Sequence, residues 1–222
     1  VAFQGPSPFP RDLRMVEGVD RLGVRQALLA YNQKDAVAGG GDERTAEGLS
    51  SFGVELIRGM NRVGMIVDCT HTGYRSTMEA MDLSTAPCIF SHSGPRALKD
   101  HERNIRDEQI MACARTGGVV GVNGVGFFLG DNDASPGRVA DAIDHIADLV
   151  GPKHAALGFD NVYYMDSMIA RWRANPERYP KGYPEPPWHF FAPEPPPDLV
   201  QELLPRRDAA DLVTCVLGET SL

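Results

Sequence analysis

Basic residues are the minority in this chain. Lys and Arg number 22 against 30 Asp and Glu, a net charge of −8 and the wrong sign for gripping a phosphate backbone, so nucleic acid is set aside as a partner. No apolar stretch approaches the roughly 18 residues that a membrane helix needs. Residues 1–10 carry neither the basic start nor the apolar run of a signal peptide. These absences predict a soluble, cytoplasmic chain with no membrane segment. Cysteine is scarce, and of the four present Cys69, Cys88 and Cys113 lie in apolar runs where a small buried thiol is expected. Those three and Cys215 are expected to be reduced, which suits the cytoplasm and still leaves a periplasmic or secreted protein open. An initiator methionine is missing as well, so Val1 is expected to open a processed form or an excerpt of something longer.

What is present is a regular alternation. Short β-branched or apolar runs at 24–30, 65–70, 87–91, 118–123 and 155–159 read as strands. Between them, 51–63, 75–81, 107–116 and 138–150 carry apolar residues three and four apart, as an amphipathic crossover helix requires. Residues 1–4 read as the end of one more strand and 12–22 as its helix, so six parallel strands are expected. The run Gly39-Gly-Gly follows no G-x-G-x-x-G pattern, which argues against a dinucleotide-binding sheet. Instead the strands close on Gln4, Tyr31-Asn32, His71, His92, Asn123 and Asp160. Polar side chains at the carboxyl end of strand after strand are the mark of a (β/α)8 TIM barrel, here with about six of its eight strands.

The expected organisation is one incomplete barrel domain over 1–222, its missing strands upstream of Val1. Residues 175–197 hold nine prolines and cannot be regular helix or central strand. They read as an irregular segment packed down by Trp188, Phe190 and Phe191, with a substrate-covering lid as the other reading. Helical periodicity resumes at 198–217. A barrel short of two strands leaves edges and apolar interior open, which predicts aggregation or pairing with a second copy as a homodimer.

His71 and His92 end consecutive predicted strands. One such histidine is ordinarily a core or rim residue, whereas two at equivalent positions argue for convergence on a metal such as zinc, which neutral imidazoles suit. Asp68 and Asp160 are carboxylates near strand ends, and Asp160 fits a metal ligand, a proton shuttle or a helix cap equally. Arg103, in the polar loop after His92, fits either a grip on a substrate carboxylate or a surface ion pair. His101, His145, His154 and His189 read as structural or solvated.

These residues fall within segments that resemble the renal (membrane) dipeptidase family of zinc metallopeptidases. The matching stretches are Leu22-Gly-Val-Arg, Gly48-Leu-Ser-Ser-Phe-Gly, Met60-Asn-Arg-Val-Gly-Met-Ile-Val-Asp-Cys-Thr-His, Ala86-Pro-Cys-Ile-Phe-Ser-His-Ser, Arg103-Asn104 and Gly117-Gly-Val-Val-Gly-Val, in family order. The resemblance extends through 141–158, and 198–219 is similar to the family's C-terminal helices. It implies two zinc ions at a barrel mouth and hydrolysis of dipeptides by an activated water. It also implies that His71 and His92 ligate the second metal, that Asp160 shuttles the proton and that Arg103 holds the substrate's C-terminal carboxylate.

Three departures qualify this. The first metal's His-x-Asp pair has no counterpart after Val1, Gln4 stands at the position of the metal-bridging Glu, and Tyr31 replaces a substrate-polarising His. A neutral amide bridges two cations poorly, and a phenol donates a hydrogen bond but not as a cation. Asn161-Val-Tyr-Tyr also departs from the family's Asp-Phe-Asp-Gly. The expected activity is therefore a zinc dipeptidase with one or two metals. The alternatives are a catalytically impaired dipeptidase-like binding scaffold, or a hydrolase of another carboxylate-bearing substrate such as an N-acyl amino acid, lactone or lactam.

Overall fold

The computed structural model describes residues 2–6, 9, 12–176, 183–192, 197–206 and 209–217. Six strands occur in the order in which the chain makes them: β1 (Ala2–Phe3), β2 (Gln26–Leu28), β3 (Ile66–Asp68), β4 (Cys88–Ser93), β5 (Val120–Val122) and β6 (Ala155–Leu157). The chain divides into two compact units, 1–90 with 112–118 and 91–111 with 119–222, and the division passes through β4.

In the first unit β1, β2, β3 and the start of β4 pair in parallel, with Leu28 opposite Asp68 and Asp68 opposite Ile89. Each crossover is a helix: α1 (Arg14–Arg21), α2 (Ser51–Val63) and α3 (Tyr74–Leu83). The sequence sets the limits of α2 at both ends. Ser50 accepts the Gly53 N–H on its Oγ at 2.9 Å, and Gly64 closes the helix in the left-handed conformation, φ 75°. Leu56, Ile57 and Met60 line its buried face, and Val16 and Val19 line that of α1. Cys69, Cys88 and Cys113 are buried free thiols of this unit, as expected, while Cys215 in the second is partly covered. Burial pushes the Cys113 thiol up to about 12, out of the range of a reactive cysteine.

The second unit takes the rest of β4 with β5 and β6, which pair in parallel over Val120–Val122 and Ala155–Leu157. Helix α4 (Asp107–Arg115) begins in this unit. A single turn, α5 (Gly126–Leu129), then precedes α6 (Pro136–Val150), which Ser135 caps and whose Val139, Ile143 and Ile146 are fully buried. Except for β4, the strands are shorter than the apolar runs that announce them. Leu29 and Ala30 lie outside the ladder yet are wholly buried, so hydrophobic run length reports burial here and not pairing.

Two helical features differ from expectation. Met165, Met168, Ile169 and Trp172, three and four apart, pack an unanticipated helix α7 (Met165–Ala174) against Phe127, Phe128 and Trp188. The C-terminal helical region is two helices, α8 (Pro197–Leu203) and α9 (Ala209–Leu217), because Pro205 cannot continue a helix. Arg206 holds the break to α6 through Asp141 at 2.7 Å and Asp144 at 3.1 Å. The described part of the proline segment is irregular and packed down. Trp188 donates its Nε1–H to the Pro184 carbonyl at 2.8 Å and lies 5.4 Å from Trp172, and Phe191 lies 4.7 Å from Phe159. Residues 177–182 and 193–196 of that segment lie outside the described residues. No helix among the described residues is long and apolar enough to cross a membrane.

Close packing in the second unit leaves no room for a methyl group at two strand positions. A Cβ on Gly121 or Gly158 would run into the backbone carbonyl of Ser91 in β4. Gly158→Ala is therefore expected to lower stability by about 1–3 kcal/mol. A urea midpoint unchanged from the wild type would show that β4 and the end of β6 do not approach this closely.

Candidate active site

Each unit carries its own group of strand-end side chains. In the first, Tyr31 and Asn32 follow β2, and His71 follows β3 at a turn closed by the Thr72 N–H on the Cys69 carbonyl. Asn32 and His71 both hold left-handed backbone, φ 59° and 64°, which non-glycine residues adopt at a cost. The Tyr31 ring stacks on the His71 imidazole at 4.2 Å, 22° from parallel, and His71 Nδ1 is hydrogen-bonded to Asn32 Oδ1. A side-chain amide oxygen only accepts, so Nδ1 carries the proton and Nε2 the lone pair. Gln4 is exposed just beyond β1, beside Gly5, whose Cβ position is 4.0 Å from the Tyr31 Cβ. Asp68 is wholly buried. Its carboxylate accepts from Gln26 Nε2 at 2.6 Å and from the Thr70 N–H at 3.0 Å, a cross-strand tie that gives this strand-end carboxylate a structural use.

The second unit brings Arg103 into electrostatic range of both His92 and Asp160. His92 lies inside β4, its Nδ1 2.8 Å from Ser91 Oγ. Burial and then the positive charge of Arg103 push its pKa down to about 3, so the imidazole is neutral at any ordinary pH. Asp160, also in left-handed backbone at φ 57°, has its carboxyl pushed up by burial. The Arg103 charge and a 3.4 Å hydrogen bond from Asn123 Nδ2 oppose that shift. Asn123 is itself fixed, its Oδ1 accepting the Val125 N–H at 2.6 Å.

Arg103 is the unusual member. Its side chain is only 4% exposed, yet it forms no ion pair with any described carboxylate. Its guanidinium lies 5.3 Å from the centre of the Phe128 ring and makes one long bond, 3.4 Å, to the His92 carbonyl. The surface-ion-pair reading of Arg103 therefore does not hold. A buried cation without a counter-charge is costly, and a bound anion removes the cost.

Sequence reasoning passed over three residues that the structure places beside these. Asn32 ended a predicted strand without a role. Phe128 was undistinguished in a polar loop region. His101, read as structural or solvated, accepts the Arg103 N–H on Nδ1 at 3.1 Å and packs edge-on against Phe128 at 4.8 Å. A histidine two residues before a buried arginine was the available signal. The other three histidines are structural: His145 bonds Asp107 at 2.9 Å, His189 bonds the Asn132 carbonyl at 2.9 Å, and His154 is buried.

For a metal, the imidazoles fit as neutral nitrogen donors. His92 cannot hold a proton at working pH, and His71 is fixed as the tautomer that offers Nε2. They do not make a complete set. Among the described residues no three His, Cys, Asp or Glu side chains gather into a group able to hold an ion.

Comparison with known proteins supplies the family. Residues 1–167 match the family described as membrane dipeptidase, peptidase family M19. The chain is 38% identical over 149 residues to an uncharacterized dipeptidase of Schizosaccharomyces pombe, covering 63% of this chain and 35% of that protein. It is 32% identical over 202 residues to dipeptidase aclJ of Aspergillus oryzae, covering 89% of this chain and 43% of that one. The chain thus spans about two fifths or less of the curated relatives it matches. An amidohydrolase from Pseudomonas aeruginosa superposes on 100% of this chain with a TM-score of 0.79 at 28% identity, with 66% of that chain covered. A metallo peptidase from Rhodobacter sphaeroides, liganded with a phosphinate mimic of the dipeptide L-Ala-D-Ala, shares the fold at a TM-score of 0.66 and 24% identity over 83% of this chain and 57% of that one. The expected α/β fold of the (β/α)8 type, with six parallel strands in this chain, is borne out, and so is the expected family.

The environment of His101 has a measurable consequence. Burial first, then the positive charges of Arg103, Lys99 and Arg96 against the opposing Glu102, push its pKa down to about 4 from the usual 6.5. Between those values the unfolded chain binds a proton that the native chain refuses, so this contribution to stability is full above pH 6.5 and is lost as pH falls toward 4. His101→Asn, which retains an acceptor near the Nδ1 position, is expected to flatten the fall. Urea midpoints at pH 4.5 and 7 check this, and equal falls in both proteins would mean that His101 is solvated.

Proposed function

Because the chain belongs to the membrane dipeptidase family, peptidase family M19, we propose that it carries the substrate-gripping and proton-handling part of a metal-dependent dipeptidase. The observation that carries this reading is Arg103, a guanidinium 4% exposed and without an ionic partner among the described residues. Its planar fork matches a carboxylate in two hydrogen bonds, and a dipeptide presents one carboxylate at a fixed distance from its scissile bond. Phe128 lies against the guanidinium, and His101 holds the Arg103 main chain by accepting its N–H.

His71 and His92 are the metal-ligand candidates, with zinc the expected ion and Gln4 a weak neutral donor at the bridging position. When bound, such an ion supplies Lewis acidity and lowers the pKa of a water to near neutrality. Asp160, with its carboxyl pushed up by burial, takes a proton from the attacking water and returns it to the leaving amine, and Asn123 keeps its carboxylate turned. Tyr31 would donate a hydrogen bond from its phenol to the substrate carbonyl. The retained arginine also suits an N-acyl amino acid, which shares the carboxylate and the amide.

The role of Arg103 is tested with dipeptides amidated at the C-terminus. Wild-type kcat/KM is expected to fall roughly ten- to a hundredfold on amidation, the value of a charge-assisted pair, while Arg103→Gln treats the free and amidated peptides alike. Equal wild-type rates on both would overturn the carboxylate grip. The metal reading has its own check, for His71→Ala is expected to lose both bound zinc and activity, and full retention of either would exclude His71 as a ligand.

A further inference from the structure

The run Gly39-Gly-Gly has no part in the chemistry above, yet its placement in the first unit is specific. The loop it opens lies across the turns that carry Asn32 and His71. The Asp42 N–H donates to the Asn32 carbonyl at 2.8 Å, and the Gly41 N–H donates to the His71 carbonyl at 2.8 Å. The Gly73 N–H returns a bond to the Gly39 carbonyl at 2.9 Å. Gly40 sits so close that a Cβ there would run into the backbone of Asn32 and Gln33. Two left-handed residues from neighbouring strands are thus clamped by consecutive amides of one loop, and the glycine run is what lets the loop come near enough.

Between the clamped backbones the side chains meet. Asn32 Oδ1 faces His71 Nδ1, and Tyr31 covers the ring face at 4.2 Å, so rotation about either imidazole torsion breaks a contact. Asparagine is also the residue type that combines tolerance of left-handed backbone with a neutral acceptor one turn long. We propose that Asn32, locked by the 39–42 loop, is a positioning residue for His71: it fixes the Nδ1–H tautomer and so aims Nε2 at a divalent cation. The inference rests on the reading of His71 as a metal ligand. A group that orients a ligand in this way typically governs metal affinity by 10- to 100-fold.

The variants follow from the backbone. Asn32→Gly removes the acceptor and keeps the left-handed conformation, whereas Asn32→Asp keeps both. In the complete protein, the dissociation constant for Zn2+ alone is measured by chelator competition, and the His71 tautomer of the metal-free protein by 15N NMR. Asn32→Gly is expected to weaken Zn2+ binding roughly 10- to 100-fold with little change in Tm. Asn32→Asp is expected to bind at least as tightly as the wild type. The proton is expected on Nδ1 in the wild type and shared between the two nitrogens in Asn32→Gly. The proposal is overturned if Asn32→Gly binds Zn2+ like the wild type while His71→Ala does not, or if the wild-type proton sits on Nε2. Unchanged Zn2+ binding in His71→Ala would overturn the ligand assignment itself, a result separable from the first because the NMR reports the Asn32 contact without metal.

Discussion

A parallel strand must be followed by a chain reversal, and in this protein three such reversals fall on Asn32, His71 and Asp160. Asn32, His71 and Asp160 all stand in left-handed backbone directly after a strand, at φ 59°, 64° and 57°. For a residue with a side chain this costs about 1 kcal/mol or more, and it persists only where the surroundings over-determine it. Around Asn32 and His71 the determining contacts are visible: two loop amides on their carbonyls, a side-chain hydrogen bond and a stacked ring. At Asp160 the partner is Asn123, itself pinned to the Val125 amide. The strain turns each side chain out of the strand direction, and the contacts hold it in that direction.

Charge is distributed unevenly over these groups. The first unit offers the amides of Gln4 and Asn32, the Tyr31 phenol and the His71 imidazole, while its Asp68 carboxylate is tied to Gln26 and the Thr70 N–H. The second holds the ionised pair, Arg103 and Asp160, neither salt-bridged and both partly or wholly removed from water. Their mutual attraction lowers the Asp160 pKa less than burial raises it, which leaves a carboxyl closer to the pH at which proton transfer is efficient. At His92 burial is the main reason the imidazole is neutral, and the same positive charge adds to it. One buried arginine thus acts on two neighbours, reinforcing the effect of burial at His92 and opposing it at Asp160.

Much of the fold was legible because each strand-to-helix alternation leaves two periodicities in the sequence. Helix α2 occupies the span 51–63 that its apolar spacing marks, since Ser50 and Gly64 write its ends chemically. Helix α7 was missed although Met165, Met168, Ile169 and Trp172 are correctly spaced: it buries no residue completely, and its packing partner Trp188 comes from the irregular proline segment, where no period predicts a contact. The site was legible at its strand ends, where His71, His92 and Asp160 punctuate apolar runs. The contacts of Asn32 and His101 were not, because a hydrogen bond to a neighbouring ring or main-chain N–H follows no regular spacing in a sequence.

The departures at Gln4 and Tyr31 gain a physical sense from the same packing. A carboxylate in place of Gln4 would add a negative charge just beyond β1, where the amide brings none. A histidine in place of Tyr31 would set a second titratable ring 4.2 Å from the first, where two charges repel. With a phenol at position 31, the ring stacked on His71 is not a second imidazole, and the Asn32 hydrogen bond favours the Nδ1–H tautomer. The hydrogen bond to Asn32, whose backbone the 39–42 loop clamps, and the Tyr31 stack therefore orient this imidazole together.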